Sequence, residues 1–476
     1  MEQLKAVVIG IFEDLTPDAY RRLDGDLDGA LERFINASPK SKEFKVLTMI
    51  PNIDFDSFKV AYVVGLGKST DYNLNRLREV VAHTAKQVRF DSDLLLDSFC
   101  KSNNPCENCV VAAQEAILLA QYERPDFKTK NNEKKPFSNV EIVTQADFSI
   151  ALARGTMHAQ GTNLARDLFN LPGNKLNATQ LAKTVSDFAS ENGLECQIIE
   201  KDEMQERGMG GLLGVNQGSN EPPKMIVVKY MGNPNDSELT ALVGKGVTYD
   251  TGGYNLKPGG SMYGMHGDMG GAATVFGAFT SIVEQKLPVN VLLVIPSTDN
   301  VVSADSIKPG DVLHMMNGMT VEVCNTDAEG RLILADALTL ANELGAAKII
   351  DAATLTGAIA RAIGDEITGS FTNNADFLAT FTKAAETCGE HIWELPIIKE
   401  YEKIVRETPV ADLNNAPTSG PGAITAAAFL KEFAGDTPWI HLDIAGSSET
   451  TKPHALGPKG ATGAMVRTII RYFENS

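Results

Sequence analysis

The sequence predicts an α/β protein with a smaller N-terminal α/β domain and a larger C-terminal domain built on a mixed sheet flanked by helices. Three observations carry this. The chain has 476 residues, more than one core ordinarily supports. Short runs rich in Val, Ile and Tyr alternate with helical patterns along its whole length, the ordering that covers a sheet with helices. Hydrophobic residues make up 43% and charged residues 22% of the chain, which supplies apolar side chains enough for two globular cores.

In the first part, Lys5–Phe12, Lys45–Pro51 and Lys59–Gly67 read as strands. Helical patterns lie near Pro17–Ala37 and Asn73–Val88, and Cys109–Tyr122 is a further helix. The run Glu123–Pro136 is charged and poor in apolar residues, so it reads as a surface loop or hairpin tip, and Asn139–Thr144 as the next strand. Phe148–Asn170 is a long helical pattern followed by Gly173 and Asn174. The domain boundary is placed near it: 1–146 for the first domain, 147–175 for a connecting helix and linker, and 176–476 for the second.

The second part alternates more clearly. Glu195–Ile199, Met225–Tyr230, Leu239–Val243, Asn290–Ile295, Val321–Cys324, Lys348–Asp351, Gly369–Thr372 and Ile440–Ile444 read as strands. Helices between them include Ala178–Glu191, Gly271–Gln285, Leu332–Leu344 and Ala423–Phe433, giving a sheet with helices on both faces.

A formal charge of −18 disfavours nucleic acid as the main partner, because phosphate binding needs basic surface. Met1-Glu-Gln-Leu-Lys leads into the apolar run Ala6–Phe12 without the charge pattern and cleavage site of a signal peptide, and reads as the start of the first strand. No apolar stretch approaches the ~20 residues that span a bilayer. No membrane partner is expected, and cytoplasmic residence is the default. Six cysteines do not make a disulfide framework. Cys100, Cys106 and Cys109 cluster, and a Cys-x-x-Cys can bind zinc or act in redox chemistry. No histidine nearby offers a fourth ligand, so structural or incidental thiols are expected. Cys196, Cys324 and Cys388 stand singly, as buried thiols do.

Chemistry concentrates in two stretches. Asn325-Thr-Asp-Ala-Glu-Gly-Arg-Leu332 carries Asp327, Glu329 and Arg331 at a spacing of two. In an extended segment these share one face, between the strand-like run Thr320–Asn325 and the helical run Leu332–Leu344. Paired carboxylates at a strand-to-helix junction suit a cation; a plain surface turn is the alternative for this octamer taken alone. The second stretch, Leu242–Lys257 with Met265–Gly271, places Lys245, Asp250, Lys257 and Asp268 among many glycines, which let backbone approach a ligand closely.

These motifs resemble the leucyl aminopeptidase family, peptidase family M17. The octamer is that family's signature, and Lys-Gly-x-x-x-Asp-x-Gly-Gly-x-x-x-Lys from Lys245 and Asp-Met-Gly-Gly-Ala-Ala from Asp268 match it in order and spacing. The likeness is strong from about Asn163, in Asn-Leu-Ala-Arg-Asp-Leu-Phe-Asn-Leu-Pro-Gly-Asn, to Arg467. It implies that 176–476 is a dinuclear metallopeptidase domain removing N-terminal residues, often Leu or another apolar residue, from peptide substrates. It implies two divalent ions per subunit, Zn²⁺ or Mn²⁺, with Mg²⁺ an option at one position. Lys245, Asp250, Asp268 and Glu329 would hold one ion. Asp250, Asp327, Glu329 and the Asp327 carbonyl would hold the other. Lys257 would stabilise the oxyanion, and Arg331 would anchor a bicarbonate. Met265, Thr354, Leu355, Gly357 and Ala445 would contact the substrate or line its first-residue pocket. A homohexamer is implied in the same way.

Some alternatives stay open on the residues themselves. An isolated Lys245 reads as a salt bridge to one of the aspartates, since a lysine ligand must be neutral. Met265 and Ala445 are otherwise packing residues. His266 and the run Gly420-Pro-Gly-Ala depart from the family's usual residues, which bears on specificity; His266 reads as an outer or incidental residue. A DNA-binding accessory protein, a catalytically dead relative and a dinuclear phosphoesterase are the competing classes.

Overall fold

The computed structural model describes residues 5–16, 18–27, 29–55, 58–102, 105–130 and 136–476, without side-chain detail at 19, 23, 26, 52, 54 and 55. The loop expected at Glu123–Pro136 lies partly outside these residues. The chain forms two compact units. Unit 1 comprises Met1–Gln160 with Thr387–Gly389 and Lys452–Lys459; unit 2 comprises Gly161–Glu386, Glu390–Thr451 and Gly460–Ser476.

In unit 1 the strands are β1 (Lys5–Phe12), β2 (Leu47–Phe55), β3 (Phe58–Gly67), β4 (Ser92–Leu95) and β5 (Val140–Val143). The helices are α1 (Asp18–Asp26), α2 (Ala30–Ala37), α3 (Leu74–Gln87), α4 (Glu107–Ala120) and the start of α5 (Ser149–Asn170). The sheet order is β2-β3-β1-β4-β5, parallel except for β2 against β3. Strand side chains alternate between faces. Accordingly Ala6 and Val8 pack with α3 and α4, while Val7, Ile9 and Ile11 pack with α1 and α2.

Unit 2 begins inside α5 and continues with α6 (Ala178–Glu191), β6 (Glu195–Ile199), α7 (Lys201–Glu206), α8 (Gly210–Asn216), β7 (Lys224–Met231), β8 (Leu239–Gly244), β9 (Gly246–Asp250), α9 (Gly270–Glu284) and β10 (Asn290–Asn300). Then follow β11 (Val312–His314), β12 (Thr320–Glu322), α10 (Glu329–Glu343), β13 (Lys348–Ala353), α11 (Gly357–Ile363), β14 (Ile367–Thr372), α12 (Ala375–Cys388) and β15 (His391–Glu394). The chain closes with α13 (Lys399–Ile404), β16 (Leu413–Asn414), α14 (Gly422–Ala434), β17 (Trp439–Asp443), β18 (Glu449–Thr450), β19 (Gly460–Ala461) and α15 (Val466–Glu474).

The main sheet runs β15-β14-β17-β13-β8-β10-β7-β6, with β9 also on β10. It is mixed: β17, β13, β8 and β10 are mutually parallel, β7 runs against both β10 and β6, and β14 runs against β17 but parallel to β15. Its near-continuous apolar strands are those of a sheet buried on both faces. Ala241, Val243, Leu292, Val294 and Ile349 meet α8, α10 and α14 on one side. Leu242, Val291, Leu293, Ile350 and Leu442 meet α6, α9, α12 and α15 on the other.

Two readings of the sequence need correction here. The Val321–Cys324 run is not a strand of the main sheet; β12 pairs with β11 and β16 in a separate small sheet. Nor is the Asn325–Leu332 octamer extended. Its helix starts at Glu329, three residues before the expected Leu332, so Glu329 and Arg331 lie in the first turn of α10.

Candidate active site

Four parallel strands deliver the site at their C-terminal ends, where open α/β sheets bind ligands. Lys245 directly follows β8, Asp250 ends β9, Thr354 follows β13, and Ala445 lies just past β17. Asp268 stands in the 3₁₀ turn Met265–Met269 that leads into α9, and Asp327 and Glu329 lie at the start of α10.

Lys245 is almost wholly buried. Its Nζ lies 2.8 Å from Asp268 Oδ1, 2.9 Å from Glu329 Oε1 and 3.0 Å from the Thr354 carbonyl. The ion pair that the sequence held open as the alternative for Lys245 is therefore present, to two carboxylates. Lys257 Nζ bridges Asp250 Oδ2 at 2.6 Å and Asp327 Oδ1 at 2.7 Å. Thr354 Oγ1 donates to Asp268 Oδ1 at 2.8 Å. Arg331 is buried in the first turn of α10, and its Nη1 donates to the Asn415 carbonyl at 2.6 Å. Its Nε is buried with no hydrogen-bond partner among the described residues.

Burial dominates the electrostatics. It raises the Asp250 carboxyl to about 6, with repulsion from Glu329 adding to it. Burial also pushes Asp268 well above, and Asp327 above, the usual carboxylate range. Burial opposes the charge on Lys245, but Asp268, Glu329 and Asp250 outweigh it and hold the ammonium above its ordinary value. Lys257 is held up against burial in the same way by Asp250 and Asp327. Burial is also resisted at Glu329, where the Lys245 charge leaves the carboxyl below its ordinary value. Arg331 is lowered by burial to about 10.

Four carboxylates thus face two ammonium groups and the Arg331 guanidinium, a formal excess of one negative charge, at a largely buried site. Excess buried charge is costly unless compensated, and hard oxygen donors suit divalent cations. Carboxylate oxygens of Asp250, Asp327 and Glu329 lie within 4.8 Å of one another. The donor set therefore fits metal ions.

These groups open into a cavity of about 640 Å³. Its walls include Lys245, Asp250, Lys257, Asp268, Asp327, Glu329 and Arg331 together with Met265, Thr354, Leu355, Gly357 and Ala445. Every site residue named from the sequence is thus brought to one cavity. His266 does not contribute to its wall.

The sequence did not point to the residues that hold this arrangement in place. Asn300, at the end of β10, donates from Nδ2 to Asp250 Oδ1 at 2.9 Å and to the Thr326 carbonyl at 3.0 Å. Asn415 accepts from the Cys324 and Asn325 amides and donates to the Asn325 carbonyl, tying down the strand-to-helix turn. Asp443, at the end of β17, accepts from Thr356 Oγ1 at 2.7 Å and from the Leu355 and Ala445 amides, fixing two sides of the cavity. The available signal was positional: Asn300 and Asp443 each close an apolar strand at the same edge of the sheet.

Comparison with known proteins agrees with this geometry. The cytosol aminopeptidase family's catalytic-domain profile matches residues 163–470, and its N-terminal-domain profile matches residues 8–131. The chain is 44% identical to the probable cytosol aminopeptidase of Bacillus subtilis (strain 168), covering 98% of this chain and 95% of that one. Among solved structures, the bottromycin maturation enzyme BotP in complex with Mn has 31% identity and a TM-score of 0.85, covering 99% of both chains. The cytosol aminopeptidase of Coxiella burnetii has 27% identity and a TM-score of 0.84, covering 100% of this chain and 97% of that one. With both family profiles matched, and a relative this similar along nearly its whole length, the chain belongs to the cytosol aminopeptidase family (M17), the metal-dependent aminopeptidases.

Proposed function

We propose that this chain hydrolyses the N-terminal residue from peptides, with a preference for apolar first residues such as Leu, through a centre that takes two divalent ions. The observation that carries this is the excess of carboxylate over ammonium around Lys245 and Lys257 in the wall of a cavity roomy enough for a peptide end.

Lys245, Asp250, Asp268 and Glu329 would hold one ion, and Asp250, Asp327 and Glu329, with the Asp327 carbonyl, the other. Zn²⁺ or Mn²⁺ suits both positions, with Mg²⁺ an option at one. Bound there, such ions supply a Lewis acid for the scissile carbonyl, a water of lowered pKa and an anchor for a free α-amine. Lys245 must then shed a proton to act as a ligand, a change that nearby cations favour.

The remaining chemistry belongs to side chains. Lys257 has the reach to place a positive charge beside the scissile carbonyl, where negative charge develops in the transition state. The buried guanidinium of Arg331 keeps its Nε donor unspent, and its planar fork suits a small oxyanion; a bicarbonate held there would carry a proton. Met265, Thr354, Gly357 and Ala445 would line the pocket for the first side chain, and Leu355 would contact the substrate beside it. Asp443 sets the shape of that pocket through its bonds to Leu355, Thr356 and Ala445. By resemblance the working form is a cytoplasmic homohexamer acting on peptides, with domains at 1–146 and 176–476 joined through 147–175.

A panel of aminoacyl amides, free and N-acetylated, assayed with Zn²⁺, Mn²⁺ and Mg²⁺ tests this reading. Turnover confined to free amines, and greatest for an apolar first residue, is expected. Hydrolysis of phosphate esters in preference to all the amides would overturn it.

A further inference from the structure

Unit 1 carries a second reactive constellation, none of whose residues lines the cavity. Cys106 is the N-cap of the 14-residue helix α4, and its Sγ accepts from the Cys109 amide at 3.3 Å. The Cys106 and Cys109 sulfurs lie 2.9 Å apart, closer than two non-bonded sulfurs ordinarily rest. Cys106 is exposed, Cys109 partly exposed and Cys100 buried. Burial keeps the Cys106 thiol above its ordinary range. Cys109 is the central sulfur. Donation from the Cys100 thiol, followed by bonds from Cys106, outweighs burial, and the nearby Arg78 charge adds to it, bringing Cys109 down to about 6.

Two sulfurs at Cys-x-x-Cys spacing on a helix N-terminus form the arrangement in which one thiol is activated and the other resolves. A zinc site is the competing use. Among the described residues, however, the group of three or more carboxylate, imidazole or thiol donors close enough to share one ion is Asp250, Asp327 and Glu329; Cys106 and Cys109 gain no third donor of this kind.

We propose that Cys106 and Cys109 form a reversible dithiol–disulfide pair that exchanges with low-molecular-weight disulfides. The Cys109 thiolate attacks one sulfur of the small disulfide; a mixed disulfide forms on Cys109, and the other half leaves as a thiolate with the S–S bonding pair. The Cys106 thiol gives its proton to that thiolate. Its sulfur then displaces the second small thiolate from Cys109, which takes a proton from solvent. Two protein thiols are oxidised to one disulfide, and the small disulfide is reduced to two thiols. Cys100 stays reduced and acts as a positioning residue, donating its thiol hydrogen bond to Cys109.

The test equilibrates the full-length protein with oxidised and reduced glutathione at graded ratios. Acid quenching, alkylation and peptide mass mapping then read the thiols. The expected result is loss of two of the six alkylatable thiols, one Cys106–Cys109 disulfide, and full recovery with excess dithiol reductant. Cys106→Ser keeps an oxygen acceptor at the N-cap, so it should fold, and it should stall as a glutathione adduct on Cys109. Cys109→Ser should form no disulfide. The proposal is overturned if all six thiols stay alkylatable at ratios that oxidise a control dithiol. It is equally overturned if the disulfide joins Cys100 to Cys109, if Cys106→Ser accumulates no adduct on Cys109, or if one equivalent of zinc protects the sulfurs and is lost in Cys106→Ser.

Discussion

Lys245 lies directly across Gly330. A Cβ built on Gly330 would come within 2.5 Å of Lys245 Cε and 2.7 Å of its Nζ. The glycine of the Asp327-Ala-Glu-Gly-Arg331 turn is therefore what lets the Lys245 ammonium reach Glu329, one residue away, at 2.9 Å. The flexible lysine, not the helix backbone, would have to move if that space were filled.

Gly330→Ala should accordingly leave the fold intact while displacing Lys245. Misplacing a reacting group by about 1 Å can cost roughly 10²-fold, and kcat/KM is expected to fall by about that factor. Circular dichroism and metal content, measured beside activity, check the cause. An active variant that binds metal as tightly as the wild type would show that Lys245 has room to spare.

Lys257 and Lys245 should separate in their effects. In the proposed mechanism Lys257 would meet charge that develops only in the transition state, and losing one such donor costs about 10²–10³ in kcat. Lys257→Ala is expected to lose that much and to keep its metal. Lys245→Ala should instead weaken metal binding. Metal stoichiometry and kcat at saturating substrate distinguish the two, and the reverse pattern would exchange the assigned roles.

A buried pair away from the carboxylates should set part of the pH dependence of folding. His441 Nδ1 lies 2.6 Å from Asp351 Oδ1, and Trp439 Nε1 donates to Oδ2 of the same carboxylate at 2.6 Å, all three fully buried. The charged groups around His441 are Asp351 on β13, Asp443 on its own strand and Arg331 on α10, while the Phe371 ring stacks on it from β14. Burial works against the imidazolium, but Asp351 outweighs it and holds His441 above 6.5. A raised folded value means the pair's stabilisation is complete below about 6.5 and is lost as pH rises through the folded value. Thermal unfolding should therefore show stability declining above about pH 6.5, and His441→Phe should remove that slope. Leaving Asp351 unpaired should also cost about 3–5 kcal/mol. An unchanged pH slope in the variant would assign the dependence elsewhere.

Much of this was legible in the sequence because its signals are local. Continuous apolar runs such as Leu239–Val243 and Asn290–Ile295 are what a doubly covered strand requires, and they lie at the centre of the sheet. The side chains of the site were legible because carboxylates and lysines among glycines have few structural uses. The octamer misled because a spacing of two fits a strand, whereas Glu329 and Arg331 sit in a helical first turn, where an acidic residue is favoured by the helix dipole. The supports were not legible at all. Asn300, Asn415 and Asp443 act through bonds to residues 50, 90 and 87 positions away, and nothing local in their sequence marks such partners.

The central claim is that the carboxylates around Lys245 and Lys257 hold two ions that hydrolysis requires. Its most direct test is to strip the protein with a strong chelator, confirm the loss by elemental analysis, and titrate Mn²⁺ or Zn²⁺ back while following hydrolysis of leucine amide. The account predicts no turnover in the stripped protein and recovery that saturates at two ions per chain. Full turnover in a demonstrably metal-free sample would contradict it.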